Sequence, residues 1–312
     1  MDFTPDTATP SFDVHQHIWP EGVLRALERR HTAPLARRRD GVWEIRPASE
    51  PAFRVAAEDQ DPRARVALLP ALGVDRALVA LSAPVGIETL PPAEAEPVLD
   101  AWQAATEALP GELSAWAALA VDDPDPARLD AALDAGAIGL SLPAGALAGP
   151  RSLERLGPLL ERLEERLAPL FVHPGPPHPS GASTVGWWGP CTSYLADLHA
   201  AWHAFAAWGR PAHPGVRVVF AALAGLAPLH AERAALRGGP VYDEPDPLIF
   251  YDTSSYGPRA RRAIVTEIGQ GQLVYGTDTP VVPVRALDPR APHDLLARDN
   301  ARRLLGLAWV AA

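Results

Sequence analysis

Four residues carry most of the chemistry this sequence offers. His15 and His17 stand one residue apart in "FDVHQHIWP" (12–20), His173 closes the apolar run of "PLFVHPG" (169–175), and Asp278 lies in "LVYGTDTP" (273–280). In a strand, residues i and i+2 project to the same side, so a strand ending near His17 would aim both imidazoles at one point. Three imidazoles and one carboxylate form a borderline-soft site for zinc that leaves a position open for water; Mn, Fe or Co would also be accepted. Each piece has a plainer reading. An H-x-H pair can be a surface accident, a His before Pro-Gly a turn residue, and a strand-end Asp a helix cap. What outweighs these is the coincidence of all four at the C-terminal ends of strand-like runs.

The elements that must position them alternate along the chain. Eight short apolar runs read as strands: 11–18, 76–83, 113–121, 137–144, 169–175, 217–225, 248–255 and 273–280. Most are continuously apolar, as expected of parallel strands buried on both faces. Between them lie helical patterns. In one, Leu153, Leu156, Leu159, Leu160, Leu163 and Leu167 recur at three- and four-residue spacing, with Ser152 placed to cap the start and Pro169 marking the end. Similar patterns cover 96–109, 125–135 (stopped by Gly136), 192–208, 258–270 and 294–306.

Eight strand–helix units predict a (β/α)8 TIM barrel, the α/β class, whose active sites form on loops following the strands. The surplus length falls in two places. Residues 20–73 form an insertion after strand one, with a small hairpin expected around "VWEIRPASEPAFRV", and residues 176–191 form a long loop after strand five. Both would sit over the same mouth, in one domain spanning 1–312. An open doubly wound sheet is the alternative, disfavoured because no Gly-rich phosphate loop follows a strand. Gly269-Gln270-Gly271 precedes a strand, and Gly139-Leu140-Ser141-Leu142-Pro143 lacks the second glycine of a nucleophile elbow.

Composition narrows the class further. The 312 residues carry a net charge of −10, and all positive side-chain charge other than histidine comes from arginine, since the chain has no lysine. An acidic chain without a basic stripe is a poor match for nucleic acid or anionic membranes. The lone Cys191 excludes internal disulfides and has no basic neighbour in sequence to activate it. No apolar run reaches the roughly 18 residues of a membrane span. The N-terminal "MDFTPDTATPSF" lacks the features of a signal peptide, so a cytoplasmic protein is the expectation.

The pieces "DVHQHIWP", "FVHPG", "VYGTDTP" and "NARRLLGL", spread over residues 13–307, together resemble the amidohydrolase superfamily. The likeness is to its amidohydrolase-2 branch, which includes aminocarboxymuconate-semialdehyde decarboxylase. The resemblance implies a single catalytic metal, usually zinc, held by His15, His17, His173 and Asp278, with Asp278 also acting as base. It suggests a small-molecule substrate, and family habit suggests a homodimer. Two departures matter. Without lysine, the carbamylated-lysine bridge of two-metal branches and Schiff-base chemistry are excluded. And where the family usually has a strand-six His, Ala222 stands in "VVFAALAGLAPLHAER", with His230 eight residues on. A lost proton-transfer group costs about 10²–10⁴ in rate, so a substitute is sought. His178, in the loop over the mouth, is the first candidate. Trp19, Trp187 and Trp188 are candidate walls of a substrate pocket, and Ser254, ending strand seven, is a candidate substrate contact.

These readings converge on a metal-dependent hydrolase in which a metal-activated water attacks an ester, lactone or amide. The alternatives are a non-oxidative decarboxylase on the same scaffold, and a metal-retaining binding protein without catalysis.

Overall fold

The computed structural model describes residues 9–177, 185–242, 244–283 and 293–307. Its centre is a ring of eight parallel strands: β1 (Phe12–His17), β2 (Arg76–Ala80), β3 (Leu113–Ala118), β4 (Gly139–Pro143), β5 (Leu170–His173), β6 (Val218–Phe220), β7 (Ile249–Asp252) and β8 (Leu273–Val274). Each pairs with the next in chain order. The ring closes where the segment after β8 meets β1. Val14 N–H donates to Tyr275 O (2.9 Å), Asp278 N–H to His15 O (2.8 Å) and His17 N–H to Thr279 O (2.8 Å). All eight strands fall within the runs read from the sequence, and the architecture is a (β/α)8 barrel.

Proline explains several helix starts. The helices Pro92–Thr106, Pro126–Asp134, Pro150–Glu165 and Pro258–Ile268 all begin on proline. Its fixed φ suits the first turn, where its missing N–H has no intrahelical partner to lose. The expected cap at Ser152 is therefore displaced: Gly149 precedes the helix and Ser152 lies inside its first turn. Gly136 has a φ of +100°, the conformation that ends the preceding helix.

The core has an inner and an outer layer. Inside the barrel, Val14, Leu78, Trp116, Phe171, Val219, Phe250 and Val274 pack together with Ala301, Leu304 and Leu305 of the C-terminal helix. Outside, Leu140, Leu142, Leu170 and Val172 meet Leu156, Leu159, Leu160 and Leu163, the leucine stripe read from the sequence.

The insertion after β1 holds more than the expected hairpin. Strands Leu35–Arg39, Val42–Arg46 and Phe53–Ala56 form a three-stranded antiparallel sheet. Its apolar face, with Ala36, Trp43 and Ile45, packs against Ile18, Trp19 and Leu24. No helix among the described residues is long and apolar enough to cross a membrane.

β1 contains the irregularity that matters for the site. Its pairing with β2 runs Asp13 to Ala77 and then Gln16 to Val79, so Val14 and His15 together oppose Leu78. Such a bulge changes which residues face inward. Phe12 and Val14 lie in the barrel interior before it, and His15 and His17 turn inward after it. Strict alternation from Val14 would have sent both histidines outward.

Candidate metal centre

The bulge is held by two side chains. Asp13 Oδ1 accepts the His15 N–H at 3.1 Å, and the Trp116 indole donates to Val14 O at 3.1 Å. Asp13 also takes Thr277 N–H (3.0 Å), Thr277 Oγ1 (2.6 Å) and the Gln16 amide (2.7 Å), which ties β1 to the turn after β8. Burial lifts its pKa to about 6 against the lowering effect of these bonds.

Three imidazoles then converge. His15 Nε2 stands 3.1 Å from His17 Nε2 and 3.0 Å from His173 Nε2, and the latter two are 3.2 Å apart. Asp278 Oδ1 lies 3.4 Å from His15 Nε2 and 3.2 Å from His17 Nε2. All four ligand atoms fall within 4.8 Å of one another, and the three histidines are buried.

The outward nitrogens decide what the inward ones can do. His17 Nδ1 meets Ala80 O at 2.9 Å and His173 Nδ1 meets Pro174 O at 2.8 Å. A carbonyl only accepts, so both Nδ1 atoms carry hydrogen and both Nε2 atoms present bare lone pairs. His15 Nδ1 meets the Asp252 carboxylate, Oδ2, at 2.5 Å, which assigns it the same tautomer. With His15 neutral, three acceptors face one another with no donor between them, and Asp278 Oδ1 is buried with no hydrogen-bond partner among the described residues. A cation at the centre satisfies all four.

The spacing fits a metal ion. With metal–nitrogen bonds of about 2.0–2.1 Å, ligands at right angles stand about 3.0 Å apart and tetrahedral ligands about 3.4 Å. The observed 3.0–3.2 Å lies nearer the right-angled arrangement. That set leaves further positions open and suits manganese as well as zinc. The cluster attracts positive charge, and a proton on His15 competes with a metal ion for it. Burial opposes charge on His15, yet Asp252 and Asp278 hold its pKa up to about 9. Burial, helped by His15 and His17, pushes His173 well down. Burial would raise Asp278, but the three histidines outweigh it and hold the carboxyl below its ordinary value.

Asp252, at the end of β7, was not singled out as a site residue by sequence reasoning. Besides orienting His15, its Oδ1 accepts Ala222 N–H (2.8 Å), Ser254 N–H (3.0 Å) and Ser254 Oγ (2.6 Å). Gly276 makes room for this pair: a Cβ there would stand 2.9 Å from Asp252 Oδ2 and 3.0 Å from His15 Cβ. The available signal was an acidic residue closing an otherwise apolar run.

Other candidates take different places. Ser254 is buried and donates its hydroxyl hydrogen to Asp252, so it braces a ligand's partner. Trp19 is buried against the inserted sheet, its ring 6.1 Å from that of Phe53, and its backbone N–H donates to Gln60 Oε1; it packs the insertion. Trp187 is 62% exposed and rests edge-on against Trp188. His178 lies outside the described residues. Ala222 does follow β6, at the head of a left-handed turn in which Ala222, Leu223, Ala224, Gly225 and Leu226 all have positive φ, from 47° to 67°. His230 ends that segment beside His199.

The family model described as Amidohydrolase matches residues 12–307. No curated protein matches the chain in sequence. Among solved structures, the chain is similar to an amidohydrolase II (19% identity, TM-score 0.74, 95% of this chain and 99% of that one). It is also similar to 5-carboxyvanillate decarboxylase from Sphingomonas paucimobilis (16%, 0.71, 96% and 100%). A third likeness is to a dihydroxybenzoic acid decarboxylase from Polaromonas with bound manganese (15%, 0.66, 96% and 97%). At these identities the likeness establishes the fold.

Proposed function

Since the chain belongs to the amidohydrolase family, we propose that it is a metal-dependent enzyme acting on a small carboxylate, and that its reaction is non-oxidative decarboxylation. The observation that carries the metal is the convergence of three bare Nε2 lone pairs and an unpartnered carboxylate oxygen on one point. Decarboxylation is favoured over other reactions because structures spanning nearly the same length include decarboxylases of aromatic acids.

His15, His17, His173 and Asp278 would hold one divalent ion, zinc or manganese, which as a Lewis acid would polarise the substrate's oxygens. The protein's own groups do the rest. Asp252, Ala80 O and Pro174 O fix the three imidazole tautomers, so nothing reorganises when charge develops. The closed floor of Phe171 and Trp116 keeps water from beneath the site. Asp278 is the most accessible of the four, its side chain 14% exposed. It is therefore the group placed to meet substrate: ordinarily a carboxylate, it takes a proton from water and passes it to the carbon as the bond to the carboxylate breaks and carbon dioxide leaves, hydroxide being released to solvent.

A specific observation favours hydrolysis as the second reading. Ala222 leaves the end of β6 without an imidazole, and a single carboxylate, Asp278, suffices to take a proton from water and give it to a leaving group. The two are separated by metal-loaded protein, ¹³C-carboxyl-labelled hydroxybenzoates and enoates, and ester, lactone and amide panels in ¹⁸O water. Release of ¹³CO2 without ¹⁸O in the organic product supports decarboxylation; ¹⁸O in a cleaved carboxylate, with no CO2, overturns it.

A further inference from the structure

The turn after β6 is gripped at both ends. Five successive residues, Ala222 to Leu226, have left-handed φ values, and four of them are not glycine. That conformation is unfavourable for L-residues, so it persists only where the surroundings hold it. At its head, Ala222 N–H donates to Asp252 Oδ1 at 2.8 Å. Towards its end, Gly225 O lies 2.7 Å from Nε2 of His199, on the helix Ser193–Ala204 that follows β5. A carbonyl only accepts, so His199 donates from Nε2. Glycine lets the helix come this close: a Cβ on Gly225 would stand 3.2 Å from His199 Cδ2 and 3.2 Å from Leu195 O.

Three hydrogen bonds and one short turn therefore join His199 to a metal ligand. His199 holds Gly225 O, the turn carries Ala222 N–H to Asp252 Oδ1, and Asp252 Oδ2 meets His15 Nδ1 at 2.5 Å. Resting on the metal site proposed above, we propose that His199 is a positioning residue of that site, acting through the left-handed turn and Asp252 and not by contact with the ion. Without its imidazole, Gly225 O loses its donor and the turn relaxes towards the right-handed region that its four L-residues prefer. Ala222 N–H then leaves Asp252, the carboxylate turns, and His15 loses the partner that aims its Nε2 at the centre. A ligand on β1 is thus braced from the helix that follows β5.

The test compares wild type, His199→Leu and His199→Gln. Manganese affinity is read by chelator competition, and ligand geometry by the visible absorption of the cobalt-loaded protein. Leucine fills the space without a donor, whereas the glutamine amide restores one near the position of Nε2. His199→Leu should bind manganese about tenfold more weakly, the low end for groups that orient metal ligands, and its cobalt bands should shift. His199→Gln should return to within about threefold of wild type, with the wild-type bands. In an Asp252→Ala background, where the path is cut, His199→Leu should change affinity by less than about twofold. Should His199→Leu not fold, His199→Asn, whose amide is too short to reach Gly225 O, takes its place. Unchanged affinity and bands in the donor-less variant, equal losses in it and in His199→Gln, or a further tenfold loss in the Asp252→Ala background each overturn the inference and leave the metal site standing. No metal in reconstituted wild type overturns both.

Discussion

Asp252 Oδ2 stands 2.5 Å from His15 Nδ1, while Oδ1 of the same carboxylate collects Ala222 N–H, Ser254 N–H and Ser254 Oγ. One buried side chain thus sets a ligand's tautomer and anchors the turn after β6. Replacing Asp252 with Asn keeps the shape but lets the amide present a donor to Nδ1, which favours the wrong tautomer. Metal affinity should fall about 10–100-fold, as read by competition with a chromogenic chelator. Unchanged affinity would mean that His15 is oriented by packing alone.

The bulge in β1 depends on Trp116. Trp116→Phe keeps the aromatic contact with Phe171 but leaves Val14 O buried without its donor. A loss of about 1–3 kcal/mol is expected in denaturant unfolding, together with weaker metal binding as His15 loses its inward direction. Lower stability with full metal affinity would separate the bulge from the site.

Ala222 has a φ of 47°, in the left-handed region that costs an L-residue about 1–2 kcal/mol. Glycine escapes that cost and gives back part of the gain through its greater freedom when unfolded. Ala222→Gly should therefore raise stability by about 1 kcal/mol, against the usual direction of such a change. A drop in melting temperature would contradict this.

Glu88, in the loop after β2, is buried, and neither carboxylate oxygen has a hydrogen-bond partner among the described residues. Burial raises its pKa to about 7 from an ordinary 4.5. The folded state therefore binds this proton more tightly than the unfolded chain. Its contribution falls as pH rises from about 4.5 to 7 and is flat outside that window, a total of about 3 kcal/mol. Glu88→Gln should flatten the pH profile in that window and be the more stable form at pH 8, measured by urea unfolding across pH. A variant less stable than wild type at pH 8 would show that the ionised carboxylate is satisfied.

The barrel was legible because strands buried on both faces must be apolar almost throughout, so the eight runs stood out and the polar residues closing them were conspicuous. His15 and His17 were read as converging by alternation, and they do face inward, but only through a bulge that periodicity does not reveal. Asp252 was hidden by an ordinary role for a strand-end acid, and only the fold brings it to His15 across 237 positions. The places of Ser254 and Trp19 were hidden for a related reason. A hydroxyl or indole near a strand end can face substrate, a neighbouring carboxylate or the core, and the choice is made by chain packing far away in sequence.

Elemental analysis of purified wild type beside His15→Ala/His17→Ala decides whether His15, His17, His173 and Asp278 hold one metal ion. About one divalent ion per wild-type chain is expected after reconstitution, with a melting temperature lowered by chelation, and no bound ion in the variant. Equal metal content in the two proteins, or none in wild type after reconstitution with zinc or manganese, would show that these four residues hold no metal.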